Sequence, residues 1–429
     1  MPLSIFDRLT EKSYEITLLS ILLTSVMISG QVNATNGYFA HGVGMKAKGM
    51  GGVSIGLPQD TLAGGSNPAT MATLGNRIDG GIDLFRPIRE AEISGSAGGF
   101  TDGKFEANET KYFPVPEFGY NRVIDDTWTM GISVFGHGGM NTDYKDNIPL
   151  FGTSSVGTDM SQLFVVPSLS YKVNDSNYVG LAINLVAQRL EITGAQNFAA
   201  TPPSMSPGHV TNKGHDYSLG AGFRIGWFGQ LTDKLSVGAT YQTETKMSEL
   251  DDYKGLLAEQ GDFDIPASYG IGLAYKATPR MTIAADIAHI EYDDVASLAN
   301  PIANLPTGGL GSDNGAGFGW EDQTVYKLGI EYAYSPDIDL RAGWNYGESP
   351  IPSSETAFNI FAPATVEHHI TLGFTWQLDK NRDVTVSYMH ALENKIEGKG
   401  SLLIPARGPG EVDLNMHQDS LGVAMSWRW

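Results

Sequence analysis

The chain has 429 residues, a formal charge of −20 and no cysteine. Such acidity argues against a nucleic-acid partner, because phosphate binding needs a basic surface, and the missing cysteines exclude a disulfide framework and thiolate metal sites. Only 18 % of residues are charged, yet beyond residue 30 no apolar run approaches the roughly 20 residues of a membrane-spanning helix.

Ile16 to Ile28 (ITLLSILLTSVMI) is apolar but too short to cross a bilayer as a helix. Val32-Asn33-Ala34 follows, with small residues where a signal peptidase accepts them. Residues 1–34 therefore read as a signal peptide cleaved after Ala34, with a retained helical anchor as the alternative. Residues 35–76 are rich in Gly and Ala and nearly uncharged. Short helical pieces are expected near Gly44–Met50 and Pro68–Leu74.

From Ile78 onward the chain alternates in steps of two. Ile78, Ile82 and Leu84 stand against Asp79, Gly81 and Asp83; Trp128, Met130, Ile132 and Val134 stand against Thr129, Gly131 and Ser133. The pattern returns at Val179–Leu185, Leu219–Trp227, Leu235–Tyr241, Tyr326–Tyr332, Ile370–Trp376 and Val384–Tyr388. It ends with Leu421, Val423, Met425, Trp427 and Trp429 against Gly422, Ala424, Ser426 and Arg428. Successive strand side chains face opposite ways, so each segment has one greasy and one small or polar face. Repeated about fourteen times, this is the pattern of a transmembrane β-barrel.

The connections alternate as well. Short turns at Ile124–Thr127, Asn174–Ser176, Thr232–Lys234, Ala277–Arg280, Ser335–Asp337 and Asp379–Arg382 separate long connections at 140–160, 193–215, 248–265, 293–321, 347–367 and 396–415. Short periplasmic turns and long outer loops fit an outer-membrane barrel with an even strand count. A soluble sandwich or propeller is the structural rival. Against it stand Trp128, Trp227, Trp376, Trp427, Trp429, Tyr269, Tyr275, Tyr326, Tyr332 and Tyr388, which sit near segment ends on the apolar face, as an interfacial girdle requires. A barrel of this size encloses a lumen that its own side chains do not fill. Residues 35–76 are thus expected to form a hatch inside a barrel of residues 77–429, with a flexible periplasmic tail as the alternative.

Several inward positions are chemically unusual. Phe85, Phe135, Phe164, Phe228 and Met389 are large and apolar where a water-filled pore wants polar groups. They line a greasy pocket or pack against the hatch. Gly136, Gly138 and Gly139 end the third alternation and mark a bend or an ordinary strand end. Arg224, Lys327 and Arg341 are inward cations, and pairing with Asp339 or Glu331 competes with a ligand-binding role. Acidic residues of the long loops, such as Asp251, Asp252, Asp262 and Asp264, are solvated charge or hold Ca²⁺ bridging lipopolysaccharide. No metal cluster, cofactor motif, phosphate loop or Gly-x-Ser-x-Gly elbow emerges.

Gly42–Gly52 followed by Ser66-Asn67-Pro68-Ala69 resembles the N-terminal hatch of the FadL/TodX family of outer-membrane transporters. Gly131–Tyr144 (GISVFGHGGMNTDY), Arg341–Pro352 (RAGWNYGESPIP) and Val384–His390 (VTVSYMH) resemble its third strand and C-terminal half. The resemblance spans essentially all of the mature chain. It implies a 14-stranded antiparallel barrel plugged by a hatch, in the outer membrane of a Gram-negative bacterium. It implies passive uptake of hydrophobic compounds, either long-chain fatty acids or aromatic hydrocarbons. It further implies a kink at Gly136, Gly138 and Gly139 beside Asn67, Pro68 and Ala69, opening the wall sideways. Arg189 aligns with the carboxylate-binding Arg of fatty-acid members, although alternation places it outward; Arg224 and Lys327 are the inward alternatives. The expected partners are hydrophobic small molecules, outer-membrane lipid with lipopolysaccharide, and the barrel-assembly machinery through the C-terminal strand ending at Trp429. The chain reads as a monomer without cofactor or enzymatic activity. The rivals are a phospholipase-like barrel enzyme, with Ser387, His390 and His417 nearby but untied, and a general porin.

Overall fold

A computed structural model describes residues 35–402 and 410–429; the expected leader, residues 1–34, lies outside them. Fourteen strands form the wall: β1 Arg77–Ser94, β2 Phe113–Val123, β3 Trp128–Asn147, β4 Ser155–Asn174, β5 Asn177–Thr193, β6 Asp216–Gln230 and β7 Leu235–Gln242. They continue as β8 Ser268–Thr278, β9 Met281–Ile290, β10 Gln323–Ser335, β11 Ile338–Gly347, β12 His368–Gln377, β13 Arg382–Ile396 and β14 Glu411–Arg428. Each pairs antiparallel with its neighbour, and β14 closes on β1 from Arg77↔Arg428 to Ser94↔Glu411. Two short strands, Gly103–Glu106 and Lys246–Met247, add to β1 and β6.

Closure is what lets a sheet live in lipid, because it leaves no unpaired edge in the hydrocarbon. The alternation faces outward as read: Ile82, Leu181, Ile225, Ile271, Leu372 and Leu421 are all exposed. Trp128, Trp376, Trp427 and Trp429 near the strand ends are exposed too. The expected outer connection at 140–160 is mostly strand, since β3 and β4 run on to Asn147 and from Ser155. Beyond the lipid band they gain burial from loops instead, with Tyr144, Ile148, Phe151 and Val156 buried under them. A further long connection, 95–112, precedes β2 and is absent from the sequence reading.

Residues 35–76 lie against the inner wall. They contain a one-turn helix, Met45–Lys48, and two 3-10 segments, Thr61–Gly65 and Pro68–Thr73. The wall receives them on bare backbone. Gly119 on β2, Gly180 on β5, Gly226 on β6, Gly238 on β7, Gly343 on β11 and Gly422 on β14 face inward, a few residues from the periplasmic turns. A methyl group at Gly238 would collide with the Ile55 carbonyl oxygen, and one at Gly180 with the Ala69 nitrogen. Wall side chains then satisfy the irregular hatch backbone, which has no ladder of its own. Asp286 accepts from the Ser54 and Ile55 N–H groups at 2.7 and 3.1 Å, and Thr371 Oγ1 accepts from Gly51 N–H at 2.7 Å. Ser133 and Ser170 donate to the Thr61 and Pro68 carbonyls, both at 2.6 Å.

Two buried ion pairs fix the hatch helix. Lys48 meets Asp83 of β1 at 2.8 Å, and Lys46 meets Asp383 of β13 at 3.2 Å. Asp383 also pairs with Arg428 of β14. Breaking one partner of such a pair leaves an uncompensated buried charge.

Gly238→Val should overpack the hatch against the wall and cost about 1–3 kcal/mol, read as a lowered unfolding midpoint or new sugar permeability in liposome swelling. Gly80→Val, where a side chain meets open space, should change neither. Asp83→Ala alone should cost about 3–5 kcal/mol, whereas Asp83→Leu with Lys48→Met should cost much less; urea unfolding of all three variants checks the order.

Candidate functional site

The wall is interrupted between β2 and β3. β2 and β3 pair only from Val123↔Thr129 to Glu117↔Phe135, although β2 remains paired to β1 up to Phe113. Beyond Phe135, β3 bulges at His137, where its register with β4 passes from Gly136↔Leu163 to Gly138↔Gln162. Gly136, Gly138 and Gly139 flank this bulge. The freed backbone of β3 pairs with the hatch instead: Ala40 N–H donates to the His137 carbonyl at 2.9 Å, and Gly139 N–H donates to the Tyr38 carbonyl at 3.2 Å. Above the break, Arg89 of β1 bonds to the Asn141 carbonyl at 2.5 Å and to the Thr110 carbonyl at 2.7 Å. The result is a window between β2 and β3 at the level of Ile82 and Leu84, two lipid-facing side chains of β1.

Behind the window lies an apolar pocket lined by Phe85, Pro87, Met140, Met416 and Trp320, with Tyr38 on its inner side. Phe85 and Met389 share a cluster there with Phe113, Val115 and Met416. Phe135 and Phe164 stack beside the bulge, ring centroids 5.6 Å apart, and both approach His137. Phe228 is elsewhere. It is buried near the periplasmic turn after β6 and contacts Tyr178 at 6.0 Å, so it belongs to the barrel floor and not to the pocket.

A second cavity, of about 90 Å³, lies on the other side of Phe39. Arg224 and Lys327 reach it from β6 and β10, and His137 from the bulge. Lys327 Nζ donates to the His41 and Gly52 carbonyls at 3.0 and 3.3 Å, and Arg224 donates to the Ser66 carbonyl at 3.1 Å. Among the described residues neither cation has a carboxylate within ion-pair distance. The nearby His41 imidazole adds no charge, because burial, Lys48 and Lys327 push it down to about 3. Tyr38 and Phe39 divide the two cavities. Tyr38 packs on Phe39, Tyr292, Trp320 and Phe263, with ring centroids between 5.0 and 6.3 Å apart. The hatch, the outer loops and the edge of the window therefore meet at one ring.

The other sequence candidates fall away from this constellation. Arg189 points outward, where Asp159 takes its charge at 3.1 Å and Ser161 its Nε at 3.0 Å. Strict alternation decided this against the alignment, since the bulge lies on β3 and not on β5. Arg341 is held by Glu331 at 2.5 Å. Asn67, Pro68 and Ala69 are not at the bulge. Asn67 donates to the Trp227 and Ile55 carbonyls at 2.9 and 2.8 Å, and Pro68 and Ala69 pack on β4 and β5. The bulge is bonded to Tyr38–Ala40 instead. Ser387 faces inward, against Met45 Sδ at 3.2 Å, while His390 faces outward on Asp419 at 2.9 Å, so the esterase set is not assembled. Tyr38, Phe39, His137 and Arg89 were missed. His137 carried the only available signal, as the one large residue inside a run of glycines.

Over residues 26–429 the chain matches the protein family described as Outer membrane protein transport protein (OMPP1/FadL/TodX). A long-chain fatty acid transport protein of Salmonella typhi is 23 % identical over 318 residues, spanning 66 % of this chain and 71 % of that protein. The crystal structure of the Pseudomonas putida toluene transporter TodX superposes with a TM-score of 0.67 at 20 % identity, covering 91 % of this chain and 99 % of that one. The Ralstonia pickettii toluene transporter TbuX gives 0.63 at 17 % identity, with 91 % and 99 % covered.

Proposed function

Because the chain belongs to the OMPP1/FadL/TodX family of outer membrane transport proteins, we propose that it carries a hydrophobic solute from the outer loops to the lumen and releases it sideways through the β2–β3 window. The observation that carries this reading is the break in strand pairing with an apolar pocket directly behind it. Leaving through the wall keeps an apolar solute in apolar surroundings, whereas a straight path would end in water.

The route has three stages. Capture takes place in a cavity among the outer loops, walled by Phe198, Leu257, Phe318, Phe358 and Phe361. The solute then reaches the Arg224–Lys327 cavity. Displacement of Tyr38 and Phe39 joins that cavity to the pocket of Phe85, Met140 and Met416, which opens on the window. The hatch blocks free diffusion of polar solutes, which disfavours a general porin. Bilayer lipid and lipopolysaccharide surround the apolar band, and the strand ending at Trp429 presents the chain to the assembly machinery.

Relatives are named for long-chain fatty acids and for toluene. The two buried cations favour the former for this chain. Asp286 lies across from Lys327 but is bonded to the Ser54 and Ile55 N–H groups, so a carboxylate entering the cavity gains direct charge-assisted hydrogen bonds from both cations in a low-dielectric site, where such bonds are strongest.

Cysteines at Val115 and Gly138, joined across the window by a short thiol cross-linker, should abolish uptake that the unlinked pair supports; undiminished uptake after cross-linking would refute the sideways route. Arg224→Met with Lys327→Met should lower oleate uptake about tenfold, the worth of roughly 1.4 kcal/mol, and leave toluene uptake within about twofold. Equal losses for both solutes would remove the carboxylate assignment.

A further inference from the structure

β2 carries two prolines, Pro114 and Pro116, in the sequence Phe-Pro-Val-Pro-Glu-Phe. Proline in a sheet interior is unusual, because it cannot donate to the ladder. Here the ladder to β1 is unbroken on one side, with Leu84↔Pro114 and Ile82↔Pro116 inside a run from Arg77↔Asn121 to Phe85↔Phe113. In an antiparallel pair, alternate residues turn their backbone groups toward one neighbour and then the other. A continuous ladder to β1 therefore requires Phe113, Val115 and Glu117 to make the bonds on that side. Positions 114 and 116 turn toward β3. The ladder to β3 stops at Glu117↔Phe135, immediately before Pro116.

We infer that Pro114 and Pro116 are positioning residues that keep the window from zipping shut. Each removes one N–H donor from the edge of β2 that faces β3. Any ordinary residue there would carry a donor exposed to lipid, and extending the ladder past Glu117↔Phe135 to the Gly136 carbonyl would be its nearest relief. The prolines make the open edge tolerable and the closed ladder incomplete. The lower edge of the window is set by them, and its far edge by the hatch bonds from Tyr38 and Ala40.

The inference rests on the window being the exit, and its test separates the two claims. Pro114→Val with Pro116→Val should insert normally, lose most uptake and unfold at a higher temperature than the wild type. Hydrogen exchange should show slow amides at both new valines. A merely structural role for the prolines predicts the opposite stability change. Fast-exchanging amides at 114 and 116 with unchanged uptake would overturn the inference while leaving the exit route standing, since that route is judged by cross-linking. Uptake that survives cross-linking would sink both. The single variant Pro116→Val, which restores the first donor above the last pair, gives the same readouts if the double variant fails to insert.

Discussion

Hydrocarbon offers backbone groups no partner, so every N–H and C=O at membrane depth must be bonded within the protein. A side opening in a barrel wall conflicts directly with this, because it creates two strand edges where lipid begins. The molecule resolves the conflict differently on each edge. On β3 the freed groups around His137 bond to Tyr38–Ala40, so the hatch acts as a surrogate strand. On β2 the prolines leave two donors fewer to satisfy. The position of the window, the path of the hatch and the burial of Tyr38 follow from that division.

The same requirement shapes the interior. The hatch has almost no regular structure, so its polar backbone needs partners from outside. Ser, Thr and Asp side chains of the wall supply them, and glycines on the same face bring the two backbones close enough. Main chain lies against main chain over much of the contact. Near the outer loops side-chain packing is densest, where Tyr38, Tyr292, Trp320 and Phe263 form an aromatic knot.

Strand positions and facing were legible because the period of two is imposed by lipid on one side of every segment. Ile82, Leu181 and Leu421 announce it without reference to any other residue. The length of β3 and β4 was not legible, because past Asn141 loops replace lipid as the covering surface and the alternation weakens. The site was harder for a similar reason. Arg224 and Lys327 were readable as inward cations, but their lack of a carboxylate within ion-pair distance among the described residues is a fact of three-dimensional neighbours, as is the pairing of Arg341 with Glu331. Phe228 has the same parity as Phe85, yet depth along the axis separates them, and alternation carries no depth. Tyr38 was illegible altogether, since its partners come from loops more than two hundred residues away in the chain. Pro114 and Pro116 were visible but gain meaning only once β1 is known to be their bonded neighbour.

Asp383 ties the hatch to the closing join of the wall. Its carboxylate receives Lys46 of the hatch and Arg428 of the final strand. The neighbouring seam joins Arg77, Asp79 and Ser426. Through this one carboxylate, loosening the cylinder's last join also loosens its stopper.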